Sequence, residues 1–177
     1  MNTYIVLLRG INVSGKNIIK MAELKQFLTD EGFGNVVTYI QSGNLVVESP
    51  LKRDEAGQKI KQLIMTHFGW DISVFVLTLK QMQQALQNNP FPDTAEPNRV
   101  FVTFLDKVPD AGIAAALAQT DFGPDVFEII NDILYFHLPG GMAQSKMTNN
   151  FFEKKLKVTA TGRNLNTVRK MIELAKK

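Results

Sequence analysis

At 177 residues, with 45% apolar and 21% charged residues, the chain has the composition of a folded globular protein rather than a disordered one. It holds no cysteine and only two histidines, His67 and His137, which excludes disulfides and thiolate metal sites and argues against a histidine-rich metal centre; no apolar run reaches the ~18 residues of a membrane span. The net charge of +3 is unevenly spread, with +2 on residues 1–89, −6 on residues 90–143 and +7 on residues 144–177, so the last segment attracts phosphate-bearing or acidic partners unless it is only a solvated lysine face.

Residues 4–8 form a continuous apolar run ending in Arg9-Gly10, which predicts a buried strand. The residues before it carry no basic stretch ahead of an apolar core, so no signal peptide is expected; the absence of cysteine fits the expected cytoplasmic location. Met21, Leu24, Phe27 and Leu28 recur at helical spacing, with Gly32 placed to end the helix. Residues 36–40 and 45–47 read as strands joined by the turn residues Gln41-Ser42-Gly43-Asn44. Ala56, Ile60, Leu63, Ile64 and Phe68 mark a second helix, residues 72–77 a further strand, and Thr78 with Gln81 a capping box for a short helix to about Gln87.

Asn88-Asn89-Pro90-Phe91-Pro92, with Pro97 close behind, breaks the pattern. After it the order repeats. Residues 100–105 predict a strand and residues 113–118 a small-residue helix; residues 126–130 and 133–138 predict strands paired around Asn131-Asp132. Asn150 and Glu153 are expected to cap a helix through Leu156, followed by a short strand over residues 158–161 and a closing helix marked by Leu165, Val168, Ile172 and Ala175.

Each half thus reads β-α-β-β-α-β followed by a helix, the split βαβ order of ferredoxin-like domains. A parallel doubly wound sheet is the competing arrangement, and the tight hairpins at Ser42-Gly43 and Asn131-Asp132 argue against it, because parallel neighbours need long crossovers. The expected fold is α+β: two ferredoxin-like halves with mainly antiparallel sheets and helices on one face. Residues 1–89 make the first half, residues 90–98 a linker, and residues 99–177 the second half with its basic C-terminal helix.

Residues 10–16 fit G-x-x-x-x-G-K, a phosphate-cradling pattern, and follow a strand as that pattern should. Asn17 stands where Ser or Thr would hold Mg²⁺, and the helical stripe starts only near Met21, so a tight loop exposing Arg9 and Lys16 is the preferred reading. In a split βαβ unit the first two strands run parallel, so the loop after the first and the hairpin after the second share an edge. That places Arg9, Asn12, Lys16 and Asn17 near Gln41, Ser42 and Asn44, amides and hydroxyls beside cations that suit an anion or a nucleobase. Asn, Ser and Gly are equally what tight turns use. A second cluster joins Ser145 and Lys146 to Thr161-Gly162-Arg163-Asn164, where a helix beginning at Asn164 directs free N–H groups at the same edge; Asn164 as a plain helix cap is the simpler account.

No Ser-His-Asp set, nucleophilic cysteine or cofactor motif is present, and Asp121, Asp125 and Glu128 are not paired as acid and base. His67 extends an apolar helical stripe, and His137 alternates with Tyr135 along its strand. Phe151, Phe152 and Met171 read as core.

At residues 7–17 and 38–44 the sequence resembles a bacterial family, the domain of unknown function 1697. The strings Arg-Gly-Ile-Asn-Val and Tyr-Ile-Gln-Ser-Gly-Asn carry the likeness, which continues through residues 100–105, 145–147 and 161–167. The chain departs from the family's pattern at Ser14, where a second Gly is common, and at Leu165, where Trp is frequent. The resemblance implies a bacterial cytoplasmic protein with paired ferredoxin-like halves and implies no activity. Three functions follow as expectations: binding of an anionic or phosphorylated ligand, nucleotide or RNA, through the two clusters; an enzyme acting on a small anionic metabolite, with Lys16 or Lys146 as acid–base group; or a scaffold whose acidic middle meets a basic protein.

Overall fold

The computed structural model describes residues 1–177. Two four-stranded antiparallel sheets carry the chain, ordered β2-β3-β1-β4 and β6-β7-β5-β8. In the first, β1 (Asn2–Leu8) lies between β3 (Asn44–Ser49) and β4 (Val74–Thr78), and β2 (Gly34–Tyr39) forms the edge. In the second, β5 (Val100–Leu105) lies between β7 (Ile133–His137) and β8 (Ala160–Asn164), and β6 (Val126–Ile130) forms the edge. This is the α+β architecture in two similar halves that the strand-and-helix order implies.

Six α-helices complete the two units: α1 (Met21–Asp30), α2 (Arg53–Phe68), α3 (Leu79–Gln87), α4 (Ala111–Ala118), α5 (Asn149–Leu156) and α6 (Leu165–Ala175). Short 3-10 turns at Pro97–Arg99 and Met142–Gln144 carry too few residues to show a period in the sequence. The compact units are Met1–Gln83 with Lys170–Lys177, and Gln84–Arg169. No helix is long and apolar enough to cross a membrane.

The first unit packs Leu24 and Leu28 of α1 and Ile60 and Ile64 of α2 onto Tyr4, Val6, Leu8, Leu45 and Val47. Ile5, Leu7 and Val46, on the opposite face of the same strands, are buried too, which is why β1 reads as an unbroken apolar run. The second unit packs Phe152 and Leu156 of α5 and Leu117 of α4 onto Leu105, Leu134, Phe136 and Ala160.

The helix after each sheet's last strand starts without a loop, and each is capped from that strand. Thr78 N donates to Gln81 Oε1 (2.9 Å) while Gln81 N donates to Thr78 Oγ1 (3.1 Å), the reciprocal box expected at α3. At α6, Thr167 N donates to Asn164 Oδ1 (3.0 Å). The α5 cap corrects the sequence reading: Thr148, not Asn150, accepts from Phe151 N (3.1 Å), and Glu153 instead accepts from Ala160 N (2.9 Å). The last strand also lies later than its apolar residues indicate. Backbone pairing to β5 extends to Phe101↔Asn164, so Thr161, Gly162, Arg163 and Asn164 are strand residues and not a loop.

Candidate functional site

The first cluster forms as the topology requires, at the end of the first sheet where β1 stops and the β2–β3 hairpin turns. Leu8 N donates to Gly43 O (2.8 Å), fixing the hairpin beside the end of β1. Asn12, with φ at +54°, joins three segments: its Nδ2 donates to Gln41 O (2.7 Å) and Ile19 O (2.9 Å), and its Oδ1 accepts from Ile19 N (2.8 Å). Asn17, also in the left-handed region, donates from Nδ2 to Gly10 O (3.0 Å). Buried Asn44 donates to Tyr39 O (3.1 Å) and Ser42 Oγ (2.9 Å). The indole of Trp70 adds one more tie, Nε1 to Ile18 O (3.0 Å).

Three of the amides singled out as ligand groups therefore hold the loops in shape. Asn suits the two left-handed positions because its short amide bonds locally, which offsets the steric cost of positive φ.

The G-x-x-x-x-G-K match builds a miniature hairpin. Val13 and Lys16 pair, Lys16 N donates to Val13 O (2.9 Å), and Asn12 N donates to Asn17 O (3.2 Å). Ser14 and Gly15 between them have φ of +51° and +72°. In a phosphate-cradling loop the helix begins at the lysine and the backbone N–H groups point at the anion. Here the N–H of Lys16 is spent on Val13, and α1 begins only at Met21. Ser14 and Gly15 thus both lie in the left-handed region at the tip of this hairpin.

What this corner displays is cationic. Lys16 and Lys20 are exposed, neither makes an ion pair, and Arg9 is half-buried. The first carboxylate in the chain is Glu23, and residues 32–47 carry no charge at all. Lys20 is missing from the sequence-derived cluster because it follows the motif, although the charge-free surroundings were visible in the sequence. Val13, Ile18 and Ile40 add exposed aliphatic surface at 56%, 54% and 50%, each one residue from a backbone or side-chain group bonded in the Asn12 clamp.

The second cluster is built differently. Ser145 Oγ accepts from Met147 N (3.0 Å), a local turn, and Lys146 is exposed. Arg163 is 8% exposed; its Nη1 donates to Thr161 Oγ1 (2.7 Å) and to Gly162 O (2.8 Å). Burial pulls its guanidinium down to about 10, so it remains charged at neutral pH. Asn164 caps α6, which takes one of that helix's first N–H groups. His137 stands 5.7 Å from the Phe91 ring, and His67 stacks on Phe27 at 4.0 Å with Glu23 at 3.2 Å, so both histidines serve packing.

A family model for proteins of unknown function, DUF1697, matches residues 1–135. The chain belongs to that family. No curated protein sequence matches it. Among solved structures, the conserved bacterial protein SP0830 from Streptococcus pneumoniae is similar to this DUF1697 chain with a TM-score of 0.73 and 24% identity, over 98% of each chain. At that identity the likeness speaks for the fold, the two-unit α+β architecture described above.

Proposed function

We propose that the loop corner of the first unit binds an anionic, phosphate-bearing ligand, a nucleotide or single-stranded RNA. The reading rests on one observation: exposed Lys16 and Lys20 sit in a loop with no carboxylate, held to the neighbouring hairpin by Asn12 Nδ2 bonding to Gln41 O at 2.7 Å. Exposed cations on a loop that carries no acid of its own raise the local positive potential for an incoming phosphate. The exposed amide of Gln41 and hydroxyl of Ser14 lie on the same loops and are the groups available for hydrogen bonding beside the charge.

The test is calorimetric titration of the protein with inorganic phosphate, ADP and a single-stranded RNA oligonucleotide. Lys16→Ala and Lys20→Ala are each expected to weaken binding several-fold. RNA affinity is expected to fall with salt at a slope of about −0.7 per phosphate neutralised. Unchanged affinity in the double lysine variant, together with a flat salt response, rejects this corner as the site.

A further inference from the structure

We propose that β6 is a docking edge for an extended, cation-bearing peptide segment of a partner protein, which adds to the second sheet as a new strand. The inference rests on β6 itself and is independent of the anion site.

β6 ends its sheet and pairs only with β7. The register runs without interruption from Val126↔His137 to Ile130↔Ile133, closed by the two-residue turn Asn131-Asp132. The closing pair of such a hairpin exchanges both backbone bonds, and the alternation then repeats in twos. Val126, Glu128 and Ile130 therefore turn their backbone groups toward β7, and Phe127 and Ile129 turn theirs outward. No group of the protein bonds to those outward N–H and C=O groups.

Natural sheets blunt such edges with bulges, prolines, lysines or cover. The strand in the same place in the first unit, β2, has one of these devices: its register shifts between Gly34 and Val37, with Asn35 at φ +41°. On β8, the other edge of the second sheet, side chains of α5 occupy the backbone. Asn149 Nδ2 donates to Ala160 O (2.9 Å), and Ala160 N donates to Glu153 Oε2 (2.9 Å). β6 has no bulge, no proline and no lysine.

Charge selects the occupant. From Val108 to Leu138 the chain has no Lys or Arg and five carboxylates. Asp125 precedes β6, exposed Glu128 is at its centre, and Asp132 is in its turn. A second copy docking edge to edge brings these carboxylates together, and like charges across a ladder repel. A segment bearing Lys or Arg has the opposite charge at every one of them. Side chains alternate across the strand, so the partner presents a cation opposite Glu128 and apolar residues beside Phe127 and Ile129.

The probe is a capped hexapeptide of alternating Lys and Val, with an alternating Glu and Val peptide as control, titrated into the 15N-labelled full chain. The expected result is saturable shifts and slowed amide exchange at Phe127 and Ile129 with the Lys peptide only. Glu128→Lys is expected to weaken that binding roughly five- to tenfold and to admit the Glu peptide. Ile129→Pro removes an outward N–H at a position where an edge strand tolerates it, and abolishes binding while the remaining resonances stay in place. The proposal is overturned by the absence of saturable shifts, by shifts that map away from β6, or by a dimer in sedimentation whose formation protects Phe127 and Ile129 without peptide; the last outcome makes a second copy the occupant.

Discussion

At the end of β1, Leu8 N bonds to Gly43 O (2.8 Å) and Arg9 N to Ser73 O (3.0 Å); at the end of β5, Leu105 N bonds to Asp132 O (2.9 Å) and Asp106 N to Thr159 O (2.9 Å). These bonds make Arg9 and Asp106 counterparts, and likewise Gly43 and Asp132. The corner that carries Arg9, Lys16 and Lys20 in the first unit carries Asp106, Asp110 and Asp132 in the second. The connection to the next helix also shrinks, from residues 9–20 to residues 106–110. Backbone pairing dictates where the corner is, and loop residues dictate its charge. Two units of one architecture thus present opposite potentials at the same place, and a ligand suited to one is repelled by the other.

The comparison extends into the sheets. Val6↔Val76 and Ile5↔Leu77 in the first unit correspond to Thr103↔Gly162 and Val102↔Arg163 in the second. An aliphatic seam is replaced by one in which Thr103, Thr161 and Arg163 are buried and Thr103 Oγ1 has no partner. A Cβ on Gly162 would lie 2.6 Å from that oxygen, so the glycine and the threonine are coupled choices.

The largest expected effect comes from making the two hairpin turns alike. Gly43 has φ at +84°, and a Cβ there would lie 2.7 Å from Leu8 Cβ and 3.0 Å from Ile11. Gly43→Ala is expected to cost about 2–4 kcal/mol in urea denaturation, through both strain and overpacking. Asp132→Ala, at the exposed counterpart without positive φ, is expected to stay within about 0.5 kcal/mol. Equal small losses would mean that the turns are interchangeable.

Much of this contrast was legible in the chain. Strand and helix order, the Thr78–Gln81 box and the sharing of an edge by residues 9–17 and 41–44 follow from periodicity and turn chemistry, because local pattern determines each. Elsewhere the signal was not local. Residues 161–164 look like a polar loop, but pairing to β5 makes them a strand, and pairing partners are distant in sequence. Asn12 and Asn44 look like ligand groups because an amide that binds a phosphate and one that binds a carbonyl have the same letter; only the bonds to Gln41 O and Tyr39 O separate the two roles. The open edge of β6 is likewise a property of what is not beside it.

A smaller effect tests the buried polar face of the second sheet. Tyr135 is the counterpart of Val46 and donates from its hydroxyl to Ala85 O (2.6 Å). Burial, with a lesser push from Asp132, raises its pKa from 10.0 to about 12. A folded-state pKa above the unfolded one contributes stability that is full below the unfolded value and is lost as pH rises through the folded value. Tyr135→Phe is expected to cost about 1 kcal/mol near neutrality and to flatten the loss of stability as pH climbs from 10 to 12. An unchanged alkaline slope would place the pH dependence elsewhere.

The smallest effect has the opposite sign. The first turn residue is Ile40 in one unit and Asn131 in the other, and both have positive φ, +49° and +56°. Asn accepts that conformation readily, whereas a β-branched side chain is strained in it. Ile40 is 50% exposed, so its burial returns little of the cost. Ile40→Asn is therefore expected to raise stability by about 0.5–1 kcal/mol, and Asn131→Ile to lower it by a similar amount. If Ile40→Asn stabilises the fold yet weakens RNA or nucleotide binding at the Lys16 corner, the isoleucine is retained for contact with the ligand. If it stabilises the fold and leaves binding unchanged, the strain at Ile40 has no part in that site, and the charge of the loop alone distinguishes the first corner from the second.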